Sequence, residues 1–309
     1  MFVAAVSLLS AALAWQPTNI GQLRSRRGAL AQLSASAVSS VNEVIEVGGE
    51  KIPTQRFVEA DVGMTFQKMD ISERLYAANG PWPVDYPFPP EAFRRQDETD
   101  DNDFYAMPRL CYHIDEGAVR ALTNYYKESI EPGSAVLDIC SSWVSHYPED
   151  FPETMERISG TGMNALELEC NKQLSDYAPK NLNVDATLPY DDESFDVVTC
   201  VVSVDYLIKP LEVFKEVRRV LRPGGKFILS QSNRCFPSKA IGMWLGQNDL
   251  QHCLVISAYF HYAKGWSPAR MFDVSPSGPR TNDPLYIVEA TKGNSEPKPL
   301  DASRWLKKE

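Results

Sequence analysis

The feature that most constrains this 309-residue chain is an alternation of helical segments with short, continuously apolar runs, beginning near residue 114. Ala118, Val119, Leu122, Tyr125, Tyr126 and Ile130 recur at helix-face spacing, and Glu131-Pro132-Gly133 stops that helix. The run 135–140 follows at once and reads as a strand. Further strands are predicted over 157–161, 181–184, 195–202 and 226–231, with helices over 164–177 and 210–221 between them. Strands apolar on both sides and separated by helices demand a parallel sheet covered on both faces. Two more strands, 270–274 and 285–290, are joined by a stretch short enough for a hairpin, which adds an antiparallel edge strand. The expected fold class is therefore α/β: a seven-stranded, mostly parallel sheet with one antiparallel edge strand and helices on both faces.

Residues 41–110 show weaker signals, with a helix expected somewhere within 62–78. Prolines at 81, 83, 87, 89 and 90 exclude an unbroken helix or a central strand, so this part reads as an extended, Pro-rich arm packed on the following domain. Trp82, Tyr86, Phe88 and Phe93 need such a surface to bury against. The acidic run Asp97 to Asp103 has the look of a calcium loop, but Asn102 stands at the sixth position and Pro108 at the twelfth. A solvated acidic turn is expected there, and no metal site. With 31 basic and 41 acidic residues the formal charge is −10, which argues against a nucleic-acid partner. The six cysteines, Cys111, Cys140, Cys170, Cys200, Cys235 and Cys253, show no C-x-x-C pair and read as reduced thiols.

The first forty residues read as an address. Residues 1–14 are apolar and small, end in Ala12-Leu13-Ala14 and are too short to span a bilayer. Residues 15–40 hold Arg24, Arg26 and Arg27, many Ser and Ala, and no acid. A hydrophobic signal followed by an aromatic residue, Trp15, and a basic stretch resembles a two-part plastid presequence. Secretion is the alternative. The mature chain would then run as an arm over 41–110, a main domain over 111–295 and a polar tail over 296–309, with no transmembrane segment.

The segment Asp185-Ala186-Thr187-Leu188-Pro189-Tyr190-Asp191-Asp192-Glu193-Ser194-Phe195-Asp196, followed by Arg219-Val220-Leu221-Arg222-Pro223-Gly224-Gly225, resembles the class I S-adenosylmethionine-dependent methyltransferases of type 11. Taken with the tract 104–115, the loop 141–148 and the run 232–237, it is similar to an uncharacterised subgroup from photosynthetic organisms. The resemblance implies a Rossmann-like sheet and S-adenosylmethionine as cofactor. It places the cofactor at the first strand's end, with Asp138 framing the site. There the family's glycines are replaced by Cys140, Ser142 and Val144. Small Cys140 and Ser142 side chains let the backbone approach, and the hydroxyls of Ser141, Ser142 and Ser145 are expected to donate to the cofactor carboxylate. Gly162 stands where the family carries an acid for the ribose, and Asn164 is the preferred local substitute over Glu167 or Glu169. Asp185 and the Ala186 amide match the adenine-binding position, with a plain turn-forming Asp185 as the alternative.

Methyl transfer is an in-line displacement that needs alignment and, for a protonated nucleophile, a base. The resemblance places Ser203, Asp205 and Tyr206 at the rim that touches cofactor and acceptor. By position His146 is the expected base. His113 is expected to close over the cofactor, or His113 or Asp115 caps a helix. The reading is methyl transfer to a small-molecule acceptor in the plastid. The alternative is a catalytically inactive relative with a binding or assembly role. A nicotinamide dehydrogenase is disfavoured because no G-x-G-x-x-G follows the first strand.

Overall fold

The computed structural model describes residues 40–47, 50–57, 63–279 and 281–293. The expected presequence, apart from Ser40, and the polar tail lie outside these residues.

The arm opens with a hairpin that the sequence did not announce: β1 (Ser40–Val47) pairs antiparallel with β2 (Glu50–Phe57). A two-residue strand β3 (Met69–Asp70) and helix α1 (Ser72–Asn79) follow, so the helix expected within 62–78 forms only in its second half. The main domain adds α2 (Glu116–Ser129), β4 (Ala135–Ile139), β5 (Arg157–Gly162), α3 (Ala165–Cys170) and β6 (Asp176–Pro179). It continues with β7 (Phe195–Val201), α4 (Pro210–Val220), β8 (Leu221–Gln231), α5 (Asp249–Ala263), β9 (Arg270–Asp273) and β10 (Tyr286–Thr291).

The main sheet has the order β3-β9-β10-β8-β7-β4-β5-β6. Strands β4 to β8 are parallel to one another, whereas β10 runs antiparallel to both β8 and β9. The class is the expected Rossmann-like one, with eight strands rather than seven. The extra strand is β3, drawn from the arm onto β9. Strand β10 lies inside the sheet between β8 and β9, and the arm's β3, antiparallel to β9, forms an antiparallel edge.

Local physics accounts for the central elements. Asp115 caps α2 by accepting from the Ala118 amide at 2.9 Å. Ala118, Ala121, Leu122, Tyr125 and Tyr126 then bury one face against the sheet. All five residues of β4 are buried, as a strand covered on both faces must be. Between α4 and the straight part of β8, Gly224 takes φ +82°, the left-handed turn that Pro223-Gly224-Gly225 promised.

Three elements depart from the pattern reading. Helix α3 stops at Cys170 because Asn171 leaves the helix and donates to the Ser142 carbonyl and Ser145 Oγ, at 3.0 and 2.8 Å. The strand expected over 181–184 is instead β6, five residues earlier; as a largely exposed edge strand it has no apolar run to reveal it. Helix α5 is apolar on nearly every side and sits in the core, so no amphipathic stripe marks it. The arm packs on this helix: Trp82 stacks on His261 at 5.6 Å, Tyr86 meets Tyr262 at 5.2 Å and Phe88 meets Tyr259 at 6.3 Å.

Candidate active site

Strand β4 has β5 on one side and β7 on the other, so the chain order reverses there and a crevice opens beyond the strands' carboxyl ends. A cleft of about 250 Å³ occupies this place. Its floor is the loop after β4, its sides are the segments after β5, β6 and β7, and its roof comes from residues 95–114 and 234–236.

Asp138 lines the cleft from β4 and is 2% exposed. It accepts from Ser141 Oγ at 2.7 Å and Thr199 Oγ1 at 3.0 Å, and Thr199 meets the Tyr147 hydroxyl at 2.6 Å. Burial pushes its carboxyl up to about 6, against the pull of its hydroxyl donors. Cys140 takes φ +55°, so the backbone keeps a glycine-like conformation although the residue is not glycine. His146 and Val202, also on the cleft, take φ +61° and +38°. Left-handed non-glycine residues cost free energy, and three of them bordering one cleft mark it as a functional place.

The serine hydroxyls are not free for a carboxylate. Ser141 donates to Asp138, Ser142 donates to Glu167 Oε2 at 2.7 Å, and Ser145 accepts from Asn171 while its own hydroxyl bonds Asp138. Ser141 and Ser142 line the cleft all the same. Val144 lines it too.

At position 162 geometry dictates the sequence. A Cβ there would lie 2.0 Å from the Ser141 carbonyl oxygen, so no acid fits. Asn164 does not replace it: its side chain caps α3 through the Leu166 and Glu167 amides and donates to the Tyr105 carbonyl at 2.8 Å, outside the cleft lining. The acid of this segment that lines the cleft is Glu167, 8% exposed, whose Oε1 accepts from the Arg109 amide at 2.6 Å. The legible signal was the Asn-x-x-Glu spacing, which fixes Glu167 in the first helical turn, beside the loop after β4.

Asp185 and Ala186 are likewise outside the lining. Because β6 ends at Pro179, the loop at its carboxyl end is Lys180 to Asn183, and these four residues line the cleft. Asp185 lies one turn beyond, paired with Lys180 and accepting from the Thr187 amide; the Lys180 ammonium holds its carboxyl down to about 2. Ala186 is packed in the core.

Ser203 and Tyr206 line the cleft. Ser203 Oγ donates to the Val201 carbonyl at 2.7 Å, and the Tyr206 hydroxyl accepts from the Phe236 amide at 2.8 Å. Asp205 points away from the lining and is 3% exposed, and burial pushes its carboxyl up to about 8. It is therefore a buried neutral acid at neutral pH rather than a group that meets the acceptor. His146 lines the cleft, its buried Nδ1 has no partner, and burial pulls its imidazole down to about 4. His113 lines the cleft beside it and is lowered by burial and by Arg109. The sequence reading passed over Arg109, Lys180, Asn183 and Phe236, whose positions follow only from the roof and from the true end of β6.

One further sequence expectation changes in the roof. The acidic turn is not solvated throughout: Asp101 is 6% exposed, bonds Arg95 at 2.7 Å and Asn183 at 3.0 Å, and meets Lys239 at 3.3 Å. Of the two expected cap residues, Asp115 is the one that caps a helix. Among the described residues no three His, Cys, Asp or Glu side chains form a group able to hold a metal.

Residues 139–229 match the family described as methyltransferase domain. Over this stretch the chain is similar to the methyltransferases. The stretch runs from the last residue of β4 into β8 and so contains the loop 140–146, Glu167, Lys180 to Asn183, Ser203 and Tyr206. Over 119 residues the chain is 29% identical to demethylmenaquinone methyltransferase of Bacillus mycoides (strain KBAB4), covering 34% of this chain and 47% of that protein. Over 42 residues it is 45% identical to a sterol 4-C-methyltransferase of Caenorhabditis elegans, covering 14% and 13%. The chain spans about half the length of the demethylmenaquinone relatives it matches. Among solved structures, Haemonchus contortus phosphoethanolamine N-methyltransferase 2 with S-adenosyl-L-methionine superposes with a TM-score of 0.42 at 13% identity, covering 59% of this chain and 54% of that one. A SAM-dependent methyltransferase from Aquifex aeolicus gives 0.41 at 13% identity, covering 56% and 89%.

Proposed function

We propose that this chain transfers the methyl group of S-adenosylmethionine to a small-molecule acceptor bound in the same cleft. The observation that carries the reading is that the cleft at the reversal of strand order is built largely from the matched methyltransferase domain, with Cys140 keeping the backbone conformation of a glycine. The residues present fit the cofactor. Glu167 uses two of the roughly four acceptor positions of a carboxylate, which leaves capacity for ribose hydroxyls. Lys180 to Asn183 flank the place for the base, and Asp138 holds the loop that faces the amino-acid end.

S-adenosylmethionine supplies an electrophilic methyl group on a positively charged sulfur. The chain's own residues orient the partners and exclude water. Tyr105, Tyr206 and Phe236 form an aromatic wall across the cleft from the loop after β4. His146 lines the cleft and is neutral at neutral pH, with a buried Nδ1 that has no hydrogen-bond partner, so it is the residue we assign to take a proton from an acceptor hydroxyl or amine.

The proposed site of action is the plastid, a reading supported by the apolar stretch 1–14 and the acid-free, arginine-bearing stretch that follows. The test of function is turnover. Full-length protein incubated with S-adenosylmethionine and a fractionated metabolite pool should generate S-adenosylhomocysteine together with one product heavier by a methylene. A cofactor pool left unchanged in every fraction contradicts the reading.

A further inference from the structure

Four side chains with permanent positive charge line the cleft: Arg95, Arg109, Lys180 and Arg234. Three are already matched. Arg95 bonds Asp101 at 2.7 Å, Lys180 pairs with Asp185, and Arg234 bonds Asp283 at 2.7 Å. Arg109 is different. Its guanidinium has no carboxylate partner among the described residues, Nη2 donates to the Phe104 carbonyl at 2.8 Å, and Nη1 is buried with no acceptor. The charge is held between rings, 4.4 Å from the centre of Phe104 and 5.4 Å from that of Phe236. A buried guanidinium nitrogen without a partner costs free energy, and because Arg109 lines the cleft, a small shift of its side chain toward an acidic ligand there would relieve that cost.

The rings place that charge on the acceptor side. Phe236 packs on Tyr206, at the rim after β7, and on His113. The loop after β4, where the cofactor's amino-acid end is expected, meets the backbone of this segment instead, Trp143 Nε1 donating to the Cys111 carbonyl at 3.2 Å, and Glu167 of α3 likewise meets only its backbone, accepting from the Arg109 amide. The two cleft histidines add no charge at neutral pH, since burial lowers both.

Resting on the methyltransferase reading above, we propose that the acceptor is an anion with an apolar or aromatic body, its carboxylate or other acidic group pairing with Arg109 while the body lies against Phe236 and Tyr206. Such an acceptor also offsets the positive sulfonium beside it. A bidentate pairing of this kind is the geometry that arginine, more than lysine, provides.

The test compares matched probes on the full chain by ligand-observed NMR, with and without S-adenosylhomocysteine. Benzoate should bind about tenfold more tightly than benzamide, the same ring without the charge, as expected for a charge-assisted pair. In Arg109→Gln the two should bind equally, and in Arg109→Lys part of the preference should return. Equal binding of both probes to the unmodified chain, or an unchanged preference in Arg109→Gln, overturns the proposal. The other source of a carboxylate is the cofactor itself. If Arg109→Gln weakens S-adenosylhomocysteine but not 5′-methylthioadenosine, which lacks the amino-acid end, Arg109 serves the cofactor and the proposal is again overturned. Failure of the unmodified chain to bind S-adenosylhomocysteine strikes instead at the cofactor reading, and the benzoate comparison without it still decides on Arg109.

Discussion

Cys140 shows how a residue can depart from a family pattern while its backbone does not. At φ +55° it holds a conformation that glycine adopts freely and that a side chain makes costly. Replacing Cys140 with Gly should stabilise the fold by about 0.5–1 kcal/mol, the relief of strain being partly offset by the freer unfolded chain. Urea denaturation measures this, and a loss of stability would show that the thiol's packing outweighs the strain. The same loop explains why the expected ribose acid is absent: the Ser141 carbonyl fills the space at Gly162.

Asp205 gives a prediction with a definite sign. Its folded carboxyl is raised to about 8, while in the unfolded chain it titrates in the ordinary range near about 4. As pH rises the unfolded chain releases this proton first, so the contribution of Asp205 to stability falls from about pH 4 to about pH 8 and is level above. Asp205→Asn should lack this fall. The stability difference between unmodified chain and variant, followed by denaturation across that range, should therefore move steadily in the variant's favour. A flat difference would mean that the carboxyl is not held neutral.

At the level of elements, the pattern of apolar residues was a good guide wherever burial is one-sided or complete within a short strand. Helix α2, strands β4, β5 and β7 and helix α4 lie within a residue or two of expectation, because capping at Asp115, the stop at Glu131-Pro132-Gly133 and the run 135–140 each act locally. Strand β6 was displaced for the opposite reason, since an edge strand reading Asp-Tyr-Ala-Pro carries no apolar run. The resemblance put the base-binding position at Asp185, whereas the residues that follow the true end of β6 and line the cleft are Lys180 to Asn183.

Helix α5 was hidden because it is apolar all round, yet it joins the core to the arm. Its start is nonetheless local: Asn248 accepts from the Leu250 and Gln251 amides, and Gln251 Oε1 accepts from the Asn248 amide at 2.9 Å. Asn248→Ala should cost about 1 kcal/mol, as the loss of a capping box does. Phe260→Ala, at 1% exposure against Phe214, Phe227 and Trp266, should cost about 3–5 kcal/mol. Thermal or chemical denaturation of both variants checks the ranking, and equal costs would contradict the place given to α5.

In the whole molecule the arm is part of the site. Residues 95–114 roof the cleft, and a fully buried Lys239 ties them down: Nζ donates to the Thr99 carbonyl at 2.7 Å and lies 3.3 Å from both Asp97 and Asp101. Removing one partner of a buried charge network is expensive, so Lys239→Met should destabilise the fold by about 3–5 kcal/mol. Hydrogen exchange should then quicken in 95–113 before it does in β4 or β7. Uniform exchange across the sheet and the roof would show that the arm is not a separately held cover. None of this was legible in the sequence, where Asp97 to Asp103 reads as a solvated run, because Lys239 and the residues it holds are about 140 positions apart. What was legible was the family likeness: the paired segments 185–196 and 219–225 fall within the stretch that matches a methyltransferase domain, without disclosing which acid or arginine lines the cleft.

The central claim is that this cleft receives a nucleoside-bearing cofactor with Glu167 in contact with it. Calorimetric titration of the full chain with S-adenosylhomocysteine tests it most directly. The account predicts one site per chain, weakened about tenfold or more in Glu167→Gln and much less in Asp185→Ala. Absence of binding, or equal losses in the two variants, would contradict it.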